Sequence, residues 1–175
     1  MKTKHLIKAF TFAMAVLLFP LITNAQKMRK SPHDTTTATI AGAHLKITYG
    51  SPAVKGRTIW GGLNPWDKAW RAGADEATIF TTDKDITVQG KKLPAGSYSV
   101  FLIPSKDQWT YIFNSQTGQW GIKQGGVANY DEAKNVITVT TKPQAVDMTE
   151  HLTYVFGTAS VALRWEKWEG PLSIQ

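Results

Sequence analysis

The sequence contains no cysteine. Disulfides and thiolate metal sites are therefore excluded, as is lipid attachment through a cysteine after any leader is removed, and the fold must hold through its core alone. Histidine is nearly as scarce, with four in 175 residues. Those at positions 33, 44 and 151 lack the HExxH motif or paired spacing of a zinc hydrolase. GxSxG is absent, and Gly50-Ser51-Pro52 has no base nearby in sequence, which sets aside a nucleophilic triad. Gly125-Gly126 has neither GxGxxG spacing nor the GK[ST] ending of a phosphate loop. No internal repeat is present, and neither a cofactor nor a metal is expected.

Acidic residues are outnumbered, 13 against 20 basic ones. Only Lys27-Met28-Arg29-Lys30 forms a basic run, however, so the excess positive charge marks no nucleic-acid face. Long apolar runs are also missing. The one at residues 9–22 is interrupted by Pro20 and, at about fourteen residues, is too short to span a bilayer as a helix. It follows Lys2, Lys4 and Lys8 and precedes Thr23-Asn24-Ala25, the layout of a cleavable signal peptide. Cleavage after Ala25 is expected, giving a soluble periplasmic or secreted protein with no transmembrane segment. The leader holds three of the twenty basic residues and no acid, so removing it lowers the net charge from +7 to +4.

Short strands and turns fill most of what remains. Residues 26–37 are polar and aperiodic and read as a flexible lead-in, with one domain over residues 38–175. Leu45, Ile47 and Tyr49 alternate with His44, Lys46 and Thr48, as in a half-buried strand. Residues 85–88 and 91–93 read as two strands about a tight turn at Gln89-Gly90. In residues 97–103, Tyr98, Val100 and Leu102 share one face while Phe101 and Ile103 share the other, so this strand is expected to be covered on both sides. Trp109, Tyr111 and Phe113 point inward, followed by a glycine-rich loop over residues 114–131. Three further strands carry Ile137 and Val139, then Leu152, Tyr154 and Phe156, then Val161, Leu163 and Trp165 as their inward sets. The pattern predicts an all-β protein, a single antiparallel β-sandwich of jelly-roll or immunoglobulin-like type with one short helix.

That helix is expected at residues 65–72, where Asn64 suits the N-cap, Pro65 the first helical position and Gly73 the C-terminal stop. It lies in the least periodic stretch of the chain, residues 51–80 (SPAVKGRTIWGGLNPWDKAWRAGADEATIF), which holds three tryptophans, two arginines and an Asp-Glu pair. Helical spacing would place Trp66 and Trp70 on one face and allow Asp67 to pair with Arg71. Either the helix plugs one end of the sandwich or the segment builds a site. For a site, Arg57 and Arg71 are cations able to fork onto carboxylate or phosphate, Glu76 is an acceptor, and Trp60 and Trp70 are apolar walls. Asp75 and Glu76 are adjacent, so in an extended chain at most one of them lines a pocket. The competing arrangement is a partly buried Arg71–Glu76 ion pair that fixes the loop.

KGRTIWGGL, followed by WRAGADEAT and then KKLPAGSY, resembles the family of exported bacterial proteins catalogued as domain of unknown function 2911. The resemblance runs from about Ala43 to Trp168. Arg57, Trp70, Arg71, Gly73 and Glu76 match its pattern, whereas Trp66-Asp67 stands where Tyr-Gly is common and Asp75 where Asn is common. It implies export and one compact domain, and no mechanism. Three functions remain open: a binding module for a small polar or anionic ligand or glycan, a hydrolase of unrecognised type, and a structural or partner-binding envelope protein.

Overall fold

A computed structural model describes residues 30–175. The leader and its cleavage point lie outside the described residues. The chain is all-β and antiparallel, built from β1 (His33–Ile40), β2 (Ala43–Gly50), β3 (Thr78–Thr82), β4 (Ile86–Val88), β5 (Lys91–Leu93), β6 (Gly96–Pro104), β7 (Trp109–Asn114), β8 (Asn135–Thr141), β9 (Gln144–Phe156) and β10 (Ser160–Ser173). Six strands form one sheet in the order β1-β2-β3-β6-β7-β8, while β9-β10 and β4-β5 are separate two-stranded ribbons. Among the described residues no helix is long and apolar enough to cross a membrane.

Alternation places the core. Leu45, Ile47 and Tyr49 of β2, Tyr98, Val100 and Leu102 of β6, and Trp109, Tyr111 and Phe113 of β7 form one buried cluster with Leu152, Tyr154, Val161, Leu163 and Trp165 of the β9-β10 ribbon. Each such side chain contributes about 1.5–3 kcal/mol through burial, and together they bind the ribbon to one face of the sheet. Phe101 and Ile112 point the opposite way and pack with Ala77 and Ala128, so β6 is covered on both sides by residues beyond the main core. His44 and His151 are exposed, on the outward faces of their strands.

Two expectations are corrected. Residues 33–37 are not a lead-in: β1 begins at His33 and pairs with β2 along its whole length, from His33 opposite Gly50 to Ile40 opposite Ala43. Its threonines favour extended backbone, and Tyr49 Oη donates to Asp34 Oδ2 across the pair at 3.1 Å. The helix at residues 65–72 does not form, and the only helical element among the described residues is a 3₁₀ turn at Glu132–Lys134. The cause is the edge of β6. Because β3 pairs with β6 only as far as Val100, the outer part of β6 is open. Residues 67–70 fill it: the Asp67 and Trp70 N–H groups donate to the carbonyls of Pro104 and Leu102 at 2.8 Å, and Leu102 N–H donates back to Trp70. An eight-residue helix has little stability of its own, so sheet pairing and tryptophan burial override the capping signals.

Candidate functional site

Residues 71–77 are an excursion between two segments that both pair with β6. Their backbone is strained as well as looped, for Ala72 and Asp75 have φ of 52° and 64° although neither is glycine. Several contacts hold this conformation. Tyr154 Oη and Thr78 Oγ1 both donate to the Ala72 carbonyl, at 2.8 and 3.0 Å, and Ala74 N–H donates to Gly50. On the other side, Gly121 N–H donates to Asp75 and Ala77 N–H to Gln119, which joins the excursion to the glycine-rich loop. Burial holds the Tyr154 hydroxyl far above the ordinary tyrosine range, so it remains a donor at all physiological pH.

Beside the excursion opens a cavity of about 810 Å³. Among the described residues six cations line it, Lys30, Lys55, Arg57, Lys68, Arg71 and Lys123, against two acids, Asp75 and Glu132. The indoles of Trp70 and Trp165, stacked with centroids 5.7 Å apart, supply an apolar wall, and Leu63 and Val127 lie exposed at the lining.

The five residues singled out in the sequence are placed unequally. Arg57, Trp70 and Arg71 converge on this cavity. Trp60 lies on the far side of a tryptophan cluster and lines a second, smaller cleft instead. Glu76 turns away: its carboxylate meets His33 Nε2 at 2.8 Å, and no Arg71–Glu76 ion pair forms. Asp75 does line the cavity, so the adjacent acids point to different places. Nor do Asp67 and Arg71 pair. Without the helix, Trp66 and Trp70 part company, Trp70 facing the cavity and Trp66 the smaller cleft.

The two arginines differ in kind. Arg57 is exposed and turns back on its own loop, where Nε donates to the Val54 carbonyl at 3.0 Å and Nη2 to that of Ala53 at 2.5 Å. Arg71 is largely buried, with its stem lying across Gly121. Its Nε is buried without a hydrogen-bond partner, and none of its N–H groups donates to a described residue. Burial pulls the guanidinium below its usual value, and the nearby Asp75 charge only partly opposes this. Three more cavity residues share the condition, since Asn64 Nδ2, Trp165 Nε1 and Asp75 Oδ2 are buried without partners. Three of these four uncommitted groups are donors, and the fourth, Asp75 Oδ2, is an acceptor.

A family model described as "Protein of unknown function (DUF2911)" matches residues 31–174. The chain belongs to that family. No curated protein and no solved structure matches it. For this DUF2911 chain the site therefore rests on its own geometry. Three features of that site escaped sequence reasoning. Lys30, Lys55, Lys68 and Lys123 are scattered along the chain and meet only in the fold. Asn64 reads as a helix cap, and Trp165 as a plain core residue. A register shift in β10 next to Trp165 would have been the one local clue, and it has no sequence signature.

Proposed function

We propose that this chain is an exported β-sandwich binding module whose large cavity receives a small acidic ligand. Organic acids, acidic sugars and peptide carboxyl termini are the chemistry that suits it. The observation that carries the reading is Arg71, a mostly buried cation that donates to no described residue while lining a cavity rich in other cations. A buried charge without a partner costs several kcal/mol, and a bound carboxylate or phosphate would offset that cost through a forked pair of charge-assisted hydrogen bonds. Asn64 Nδ2 and Trp165 Nε1 add two donors against the single uncommitted acceptor of Asp75, a balance that favours an acceptor-rich ligand. The strained backbone at Lys55, Ala72 and Asp75 is the kind of cost that binding sites carry.

The test is a thermal-shift screen with acetate, citrate, glucuronate, inorganic phosphate and short acidic peptides. An acidic compound should raise the midpoint of the parent protein, and Arg71→Ala should abolish that shift. Arg57→Ala should weaken it less, because Arg57 also serves its own loop. A shift produced equally by neutral compounds, or one that survives Arg71→Ala, would refute the reading.

A further inference from the structure

The smaller cleft, about 570 Å³, lies on the other side of the tryptophan cluster from the cavity. Its walls are indoles: Trp60, Trp66, Trp109 and Trp168 all line it. Trp60 and Trp109 are buried, Trp66 is half-buried, and Trp168 is 39% exposed. Trp168 therefore presents an open indole face beside three other indoles that line the same cleft. The Trp60 side chain, only 8% exposed, has its Nε1–H buried with no partner. The rim mixes signs and types, with Arg57, Lys106, Glu166, Thr58 and Ser105.

The backbone is shaped to produce this wall. Within β10 the register against β9 shifts on both sides of Glu166, which sits at φ 58°. Such a bulge re-aims the side chains around it, and it leaves Trp165 on the large cavity but Glu166 and Trp168 on the cleft. A left-handed glutamate costs about 1–3 kcal/mol, so the distortion is retained against a stability gain.

We propose that this cleft is a second binding site and that it takes a neutral oligosaccharide. A sugar ring offers an apolar C–H face to stack on the open indole of Trp168. Its hydroxyl oxygens accept from a buried indole N–H, and its hydroxyl groups both donate and accept, matching the mixed rim. A quaternary ammonium would also suit aromatic walls. The charges decide against it, since Arg57 and Lys106 outnumber Glu166. This assignment does not depend on the anion reading of the larger cavity.

The experiment follows tryptophan fluorescence of the whole chain during titration with neutral hexasaccharides of β-linked glucose, α-linked glucose and N-acetylglucosamine, and separately with tetramethylammonium. At least one hexasaccharide should perturb the emission at millimolar concentration or below. Trp168→Ala should weaken its binding about tenfold or more. Trp168→Tyr, which keeps an aromatic face, should retain most of the affinity. If Trp168→Ala fails to fold, Trp168→Leu takes its place. Arg71→Met and added inorganic phosphate should leave sugar binding unchanged, which keeps this result separate from that of the larger cavity. The proposal is overturned if no hexasaccharide perturbs the protein, if affinity survives loss of the aromatic face at position 168, or if tetramethylammonium binds and the sugars do not.

Discussion

The side chain of Arg71 runs across the backbone of Gly121 so closely that a Cβ there would overlap its Cδ and stand 2.7 Å from its Cβ. Gly121 also donates its N–H to Asp75 at 3.0 Å, so a single glycine sets the path of the arginine and holds the loop next to it. Gly121→Ala must move one of them. We expect a loss of about 1–3 kcal/mol in denaturant unfolding and, in the same variant, weaker binding of whichever acid the screen identifies. Normal stability with unchanged binding would show that Arg71 is not held from this side.

The shared core gives a stability contrast. Leu163 is 1% exposed and lies where the β9-β10 ribbon meets the sheet, so Leu163→Ala should cost about 2–5 kcal/mol. Lys46 points outward from β2, and Lys46→Ala should change stability by less than about 0.5 kcal/mol. Chemical denaturation of both variants checks the pair, and equal losses would contradict the facing of β2 and β10.

Alkaline pH provides a further test. Burial raises Tyr111 and Tyr154 above the ordinary tyrosine value, so the folded state keeps their protons after the unfolded chain has begun to release them near pH 10. Their contribution is therefore whole below about pH 10 and is lost as pH rises beyond it, at up to about 1.4 kcal/mol per pH unit for each. Unfolding free energy measured from neutral to strongly alkaline pH should fall in that window. Tyr154→Phe should make the fall shallower, and at neutral pH it should cost about 1 kcal/mol for the lost bond to Ala72. A steeper fall in the variant would contradict the burial of this hydroxyl.

How much of this was legible in the sequence followed from how local each cause was. The alternation of Leu45, Ile47 and Tyr49, or of Trp109, Tyr111 and Phe113, is a property of the strand itself, and these residues lie in the core. The double-sided run at Val100–Leu102 was readable for the same reason. By contrast, the capping signals around Asn64 and Pro65 were outweighed by an open stretch of β6 some forty residues away in sequence, which no window around position 65 reveals. β1 was hidden by its composition, since threonines on an edge strand look like a polar tail until β2 is seen beside them. At the site, Arg57, Trp70 and Arg71 were found because they are close in sequence, whereas the lysines at 30, 55, 68 and 123 are joined only by topology. Glu76 shares that dense stretch but faces His33.

The central claim is that Arg71 is held, at a cost to the fold, as a cation for an acidic ligand. The measurement that bears on it most directly is the thermal midpoint of Arg71→Met, with the ligand absent and then present. Methionine keeps much of the buried stem and removes the unpaired charge. Without ligand, the variant should melt at or above the midpoint of the parent, and with the acid at saturating concentration the parent should melt higher while the variant does not move. A ligand-free midpoint several degrees below that of the parent would contradict the account, because it would mean that the Arg71 charge already stabilises the fold.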